Sequence, residues 1–305
     1  MIDVRGLTKS YDDSGINAVQ GISFHVEKGT IHGLIGHNGS GKTTIIKCLT
    51  GIFKPDAGEV LVDGKEVYDN VNSKLKIGYV ADSNQMFRGY KISKLAKMYE
   101  GMFPDFSMED FHLLNNLFQI NLEKKVTQLS KGQQMRVSFM LNMARNPEVM
   151  ILDEPTSGLD AMAKKDLLDT LVSAVENNNM TVLISSHHLG ELEKICDSIT
   201  VISHGRVQVD DEIDEVKQQI SKYQVVFPEG APEALYQRDD IVHMSNVGSV
   251  YTVVLPNTTV DFEEDMKNAG AVLAEQMPVG LEESFIYMNK LAEKDNKGKG
   301  GTADE

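Results

Sequence analysis

The run Gly36-His37-Asn38-Gly39-Ser40-Gly41-Lys42-Thr43-Thr44 fits the spacing G-x-x-x-x-G-K-[ST], whose residue types suit the holding of a polyphosphate. The glycines let backbone N–H groups wrap an anion, Lys42 balances the β and γ phosphates, and the Thr43 hydroxyl ligates Mg²⁺. A second set lies far along the chain, where the apolar run Val149-Met150-Ile151-Leu152 ends in Asp153-Glu154. Two carboxylates at the C-terminal edge of a strand can divide the work beside a nucleotide. Asp153 is assigned to the Mg²⁺ shell, and Glu154 to the general base that orients and deprotonates the attacking water.

These residues need a strand, a turn and a helix to place them. The first 35 residues alternate short β-rich runs (2–4, 21–26 and 30–35) with Gly- and Asp-containing turns. From Leu34 the chain enters the glycine-rich turn and then an apolar helical stretch over 43–50, the order that a phosphate loop requires. Between 86 and 129, Met, Phe, Tyr and Leu recur at helical spacing (Leu95, Met98, Tyr99, Met102; Leu113, Leu114, Leu117), which predicts a helical insert. Strand-like runs at 148–152 and 181–185, separated by a helical pattern over 161–175, predict a parallel sheet and an α/β core. After Ile213 the pattern shifts to strand candidates at 223–227, 249–255 and 271–276 and helix candidates at 232–236, 262–268 and 281–291, a second small α/β domain. The end, 293–305, is rich in Lys, Gly and Asp and is expected to be disordered.

Composition narrows the function classes. An apolar content of 41% over 305 residues suffices for filled cores, and the net charge of -15 argues against a nucleic-acid surface. Cys48 and Cys196 lie far apart without metal-ligand or CxxC spacing, which predicts buried free thiols in a reducing compartment. No run of about 18 apolar residues occurs, so any membrane role is expected to come through a partner.

Leu129-Ser130-Lys131-Gly132-Gln133-Gln134 resembles Leu-Ser-Gly-Gly-Gln, the signature sequence of the ATP-binding cassette family, and lies twenty residues upstream of Leu152-Asp153. The resemblance implies that Ser130, Gly132 and Gln133 serve the γ-phosphate held by an opposite subunit. Lys131 replaces the usual glycine, at a position that accepts side chains in several bacterial members, and is expected to matter little. Ser157-Gly158-Leu159-Asp160 is similar to the family loop that crosses the dimer seam, which assigns Asp160 there. Ser185-Ser186-His187 matches the switch histidine that contacts the γ-phosphate, so His187 is preferred to the adjacent His188. Tyr11, within Leu-Thr-Lys-Ser-Tyr, looks like the aromatic that stacks on adenine. Ile77-Gly78-Tyr79-Val80-Ala81-Asp82 departs from the pattern, because the family places there a glutamine that touches Mg²⁺ and the attacking water. Asp82 is the candidate for that metal contact, and Gln85 the alternative.

The resemblance covers 1–215 and implies an α/β P-loop NTPase cassette with a mixed-sheet core, an antiparallel β subdomain and a helical subdomain at about 86–145. A small α/β accessory domain (216–292) and the tail follow. ATP and Mg²⁺ are the implied cofactors, and a second ATP-binding subunit and a transmembrane permease the implied partners. The expected place is the cytoplasm, peripheral on the inner face of the membrane. One cassette per chain and the predicted helix at Leu281-Glu282-Glu283-Ser284-Phe285 look like the separate ATPase subunits of bacterial multidrug or antibiotic exporters. The Met-rich insert offers either a packed core or a groove for a permease helix. The alternative is a cassette ATPase acting on ribosomes or chromosomes, although this chain has neither paired cassettes nor long coiled coils. A small-molecule kinase would not need Glu154 together with a signature.

Overall fold

The computed structural model describes residues 1–11, 17–83, 89–257 and 261–299, with only the backbone of residue 289 and of 292–299. The chain divides into two compact units, Met1–Asp211 and the remainder from Glu212.

The first unit opens with β1 (Ile2–Ser10) and β2 (Asn17–Val26), antiparallel partners. Val19, Ile22, Phe24 and Val26 of β2 are buried while Gln20, Ser23 and His25 are exposed, the period of a half-buried strand. The next strand, β3 (Ile31–Ile35), is buried at every residue, as a strand covered on both faces must be. It leads through Gly36–Gly41 into α1 (Lys42–Leu49), whose Ile45, Ile46 and Leu49 pack with Ile2, Val4, Ile22 and Phe24 in one core. β4 (Ala57–Val62) and β5 (Lys65–Glu66) complete an antiparallel sheet in the order β2-β1-β4-β5. The short α2 (Val71–Leu75) leads to β6 (Ile77–Val80).

The helical insert is present as α3 (Ile92–Met102), α4 (Met108–Phe118), a 3₁₀ turn at Val126–Gln128 and α5 (Lys131–Met143). Met86 and Phe87 lie outside the described residues. Tyr99 contacts Phe103 and Phe106, and Phe106 contacts Phe111, with ring centres 5.3, 6.1 and 6.3 Å apart, so these aromatics form the packed interior of the insert. Met102, Leu113 and Leu117 instead face solvent. The packed-core reading thus describes the aromatics, and the exposed residues lie on α3 and α4 outside that core.

The chain then forms β7 (Val149–Asp153), α6 (Ala161–Asn178), β8 (Thr181–Ser186), α7 (Leu189–Leu192), β9 (Ser198–Ser203) and β10 (Arg206–Glu212). With β3 and β6 they make a six-stranded sheet in the order β10-β9-β3-β8-β7-β6. The pairs β9/β3, β3/β8, β8/β7 and β7/β6 are parallel. The parallel direction puts the C-terminal ends of β3, β6, β7 and β8 on one sheet edge, where open α/β sheets bind ligands. The register is explicit: Ile35 pairs with Ser186, Asp153 with Ser185 and Val80 with Leu152. Gly36, Asp82, Glu154 and His187, one or two residues further on, therefore leave the sheet together.

The second unit contains α8 (Ile213–Gln218), β11 (Ile220–Val226), α9 (Glu233–Tyr236), β12 (His243–Val247), β13 (Val250–Pro256), α10 (Phe262–Asn268), β14 (Leu273–Met277) and α11 (Leu281–Lys299). Its antiparallel sheet runs β12-β13-β11-β14, the order of a βαββαβ ferredoxin-like sandwich. Tyr223, Val225 and Phe227 alternate inward with Tyr251, Val253 and Leu255 against Leu235, Phe262 and Met266. β12 was not expected from sequence, because His-Met-Ser-Asn-Val shows no apolar alternation and most of it is exposed. The backbone is helical through Lys299, into the stretch expected to be disordered, and 300–305 lie outside the described residues.

Candidate active site

The loop after β3 is shaped by contacts that only glycine permits. A Cβ on Gly36 would stand 2.4 Å from the Ile202 carbonyl oxygen, and one on Gly41 2.5 Å from Val19 Cγ1. Gly39 and Gly41 also take positive φ, 82° and 113°, which a side chain disfavours. The turn closes through the Ser40 N–H, which donates to the His37 carbonyl at 3.1 Å. Ser40 Oγ is buried and has no hydrogen-bond partner in the structure, a free polar atom inside a loop built for an anion. His37, Asn38 and Gly39 are exposed at its rim.

Lys42 is buried at the start of α1, and its ammonium donates to the Gly36 carbonyl and lies 3.2 Å from Glu154 Oε1. Thr43 Oγ1 donates to Asp153 Oδ2 at 2.9 Å. A hydroxyl beside a carboxylate is a pair of hard oxygen donors, which suits Mg²⁺ held by few protein ligands and by phosphate oxygens. Burial raises the Asp153 carboxyl above its ordinary range, against hydrogen bonds from Ser185 and Thr43 that lower it and the charges of Glu154 and Asp82 that raise it further.

Glu154 has φ 49°, a left-handed conformation that few side-chain-bearing residues adopt. Besides the Lys42 ammonium at Oε1, two contacts hold it. Its N–H donates to Ser185 Oγ at 3.0 Å, and Oε2 lies 2.8 Å from His187 Nδ1. Ser185 Oγ itself donates to Asp153 Oδ1 at 2.7 Å, so one buried hydroxyl positions both acidic residues. Sequence reasoning gave Ser185 no such role. The signal was a buried polar residue closing an apolar strand. His188 donates its backbone N–H to Ser186 Oγ and lies 4.0 Å, ring centre to ring centre, from His187.

One cleft is lined by Tyr11, Ala18, Asn38 to Thr44, Asp82 and Glu154. Tyr11 is 59% exposed, and its hydroxyl lies 2.6 Å from Thr44 Oγ1, which leaves ring surface free for stacking. Asp82 lines the same cleft, but its Oδ1 accepts from Lys131 at 2.8 Å, and no contact joins it to Thr43 or Asp153. Gln85 lies outside the described residues.

Ser130 and Gly132 are not among the residues that line this cleft. Ser130 caps α5: its Oγ accepts from the Gln133 N–H, and Gln133 Oε1 accepts from the Ser130 N–H, each at 3.2 Å. Gly132 packs on the loop before α6, where an added Cβ would stand 2.6 Å from the Gly158 carbonyl oxygen. Asp160 caps α6 by accepting from the Ala163 N–H at 2.9 Å, and that bond holds its carboxyl below the ordinary range. Cys48 and Cys196 are free thiols, both pushed up by burial, Cys48 to about 11.

A family model described as ABC transporter matches residues 19–157. The ABC transporter ATP-binding protein YtrB of Bacillus subtilis is 31% identical over 286 residues, 94% of this chain and 97% of that protein. Methionine import ATP-binding protein MetN 1 of Listeria innocua is 30% identical over 220 residues, 68% of this chain and 65% of that protein. A solved ATP-binding subunit of an ABC transporter, 24% identical, superposes with a TM-score of 0.66 over 72% of this chain and 92% of its own and has the same fold. With the phosphate loop, the paired carboxylates and the capped signature helix in place, the chain belongs to the family of ABC transporter ATP-binding proteins and is one of its ATP-hydrolysing subunits.

Proposed function

We propose that two copies of this subunit, or this chain and a related one, close head to tail on ATP and drive a separate transmembrane permease in export. One observation carries the dimer: the cleft that contains Lys42 and Glu154 is lined without Ser130 or Gly132. The capping box takes the Ser130 and Gln133 N–H groups, and the N–H groups of Lys131 and Gly132 between them then face the γ-phosphate held by a partner. Asp160 lies near that seam.

Each residue has a distinct task. The N–H groups of Gly39 to Thr43 and the Lys42 ammonium bind the phosphates, and Tyr11 offers its ring to adenine. Thr43 and Asp153 would hold Mg²⁺, which would supply positive charge against that of the phosphates. Glu154 takes the proton of the attacking water. His187, whose Nδ1 faces Glu154 Oε2, is fixed by that contact and turns its other nitrogen toward the γ-phosphate.

The direction is read from the resemblance to the separate ATPase subunits of bacterial exporters, while the methionine import protein also aligns, over 68% of this chain. The exposed Met102, Leu113 and Leu117 of the insert provide an adaptable apolar surface for a permease helix. The working place is then the cytoplasmic face of the membrane, and among the described residues no helix is long and apolar enough to cross it.

The Glu154→Gln variant tests this mechanism. It keeps size and hydrogen bonding but removes the base, so ATP affinity persists while phosphate release falls by about 10² to 10⁴-fold. Light scattering with Mg-ATP then finds a dimer. A fully loaded monomer at high protein concentration would overturn head-to-tail closure, and wild-type turnover would overturn the role of Glu154.

A further inference from the structure

Two positions depart from the family pattern in this sequence, Asp82 in place of glutamine and Lys131 in place of glycine, and the structure brings them together. Lys131 Nζ donates to Asp82 Oδ1 at 2.8 Å, across 49 residues of sequence. Asp82 follows β6 and lines the phosphate cleft with Lys42, Thr43 and Glu154. Lys131 is the first residue of α5, directly after its cap Ser130.

Each residue alone is a poor choice for its place. An aspartate on the cleft wall brings a full negative charge toward a polyphosphate, where the family glutamine is neutral. A lysine in the first turn of a helix opposes the positive end of the helix dipole. Together the two costs cancel: the ammonium neutralises the carboxylate, and the carboxylate supplies the negative charge that a helix N-terminus favours. The side chains are 53% and 44% exposed, so the pair adds little to folding stability, and its consequence is to be sought at the cleft.

We propose that Asp82 and Lys131 act as one net-neutral unit in place of the glutamine, with Lys131 a positioning residue that screens the cleft from Asp82 and ties the start of the signature helix to the cleft wall. The proposal rests on the reading of this cleft as the ATP site. Lys131, read from sequence as an inconsequential replacement, is then required because Asp82 is present.

A double-mutant cycle on the full-length subunit tests the pair, with ATP affinity measured by nucleotide binding at low and high salt. Lys131→Gly in the wild-type background leaves Asp82 uncompensated and weakens ATP binding by about fivefold at low salt, and less at high salt. In the Asp82→Gln background the same Lys131→Gly change shifts affinity by less than about twofold. Thermal unfolding of the four proteins stays within a few degrees, which separates screening at the cleft from loss of structure. Equal effects of Lys131→Gly in both backgrounds, or an effect unchanged by salt, overturn the proposal. Failure of the wild-type chain to bind ATP, or Lys42→Ala binding as tightly as wild type, overturns instead the placement of the ATP site.

Discussion

At the scale of single residues, the site is made by side chains held in states that water would not favour. Glu154 keeps a left-handed backbone because Ser185 and His187 hold both its ends. His32, near the start of β3, is another such residue. Its Nε2 lies 2.7 Å from Thr200 Oγ1, which itself donates to Asp210, and its Nδ1 lies 2.7 Å from Ser198 Oγ. Thr200 therefore accepts from Nε2–H, and Ser198 donates to an unprotonated Nδ1. Burial, with the charge of His25 as a smaller cause, lowers this imidazole to about 4. The unfolded chain binds the proton near the ordinary 6.5, so the stability His32 contributes is complete above 6.5 and is lost as pH falls toward 4. Between pH 7 and 5 the loss from this residue is about 2 kcal/mol. Urea unfolding at the two pH values should show that a neutral His32→Gln variant loses less than wild type by this amount. Equal slopes would remove His32 from the acid sensitivity of the fold.

At the scale of elements, α5 is the clearest case of local rules serving chemistry. Its capping box satisfies the first N–H groups through Ser130 and Gln133, and Gly132 lets the Gly158 carbonyl approach the helix start. Because the atom that an added Cβ would meet is backbone, the loop before α6 must shift. Gly132→Ala should cost about 1–3 kcal/mol in chemical unfolding. It should also lower phosphate release, since the loop carrying Asp160 moves with it. Unaltered unfolding and turnover would show that the loop yields without cost and that this packing sets nothing. The insert follows the same logic: Ser107 caps α4 by accepting from the Asp110 N–H, and Phe111 and Phe118 anchor its inner face.

At the scale of the whole molecule, the nucleotide residues all belong to the first unit, and the second has a sheet and core of its own. Among its described residues, Asp214, Lys217, Ser221, Asn257 and Gln276 line a shallow cleft without a convergent set like that around Glu154. We expect the second unit to support regulation or dimerisation and to take no part in the chemistry. A chain ending at Glu212, the last residue of β10, should fold, bind ATP and retain basal hydrolysis. Circular dichroism with nucleotide binding checks this. Loss of ATP binding in a folded truncation would show that the second unit completes the site.

The sequence by itself determined the parts whose signal is local. The phosphate loop needs glycines, lysine and threonine at adjacent positions after a strand, and the run ending in Asp153-Glu154 needs only an apolar strand and its edge. The alternation in β2 and the spacing that marks the insert are likewise written within a few turns of chain. What the tertiary structure decided depends on residues far apart in sequence. The parallel register brought the ends of β3, β6, β7 and β8 to one edge. Ser185 reached two carboxylates from the neighbouring strand, and Lys131 met Asp82 across the start of α5. β12 was illegible because its strand form comes from pairing with β13 and not from its own side chains. Local sequence fixes a conformation where neighbours along the chain supply the energy, and these contacts draw theirs from partners that only the folded chain provides.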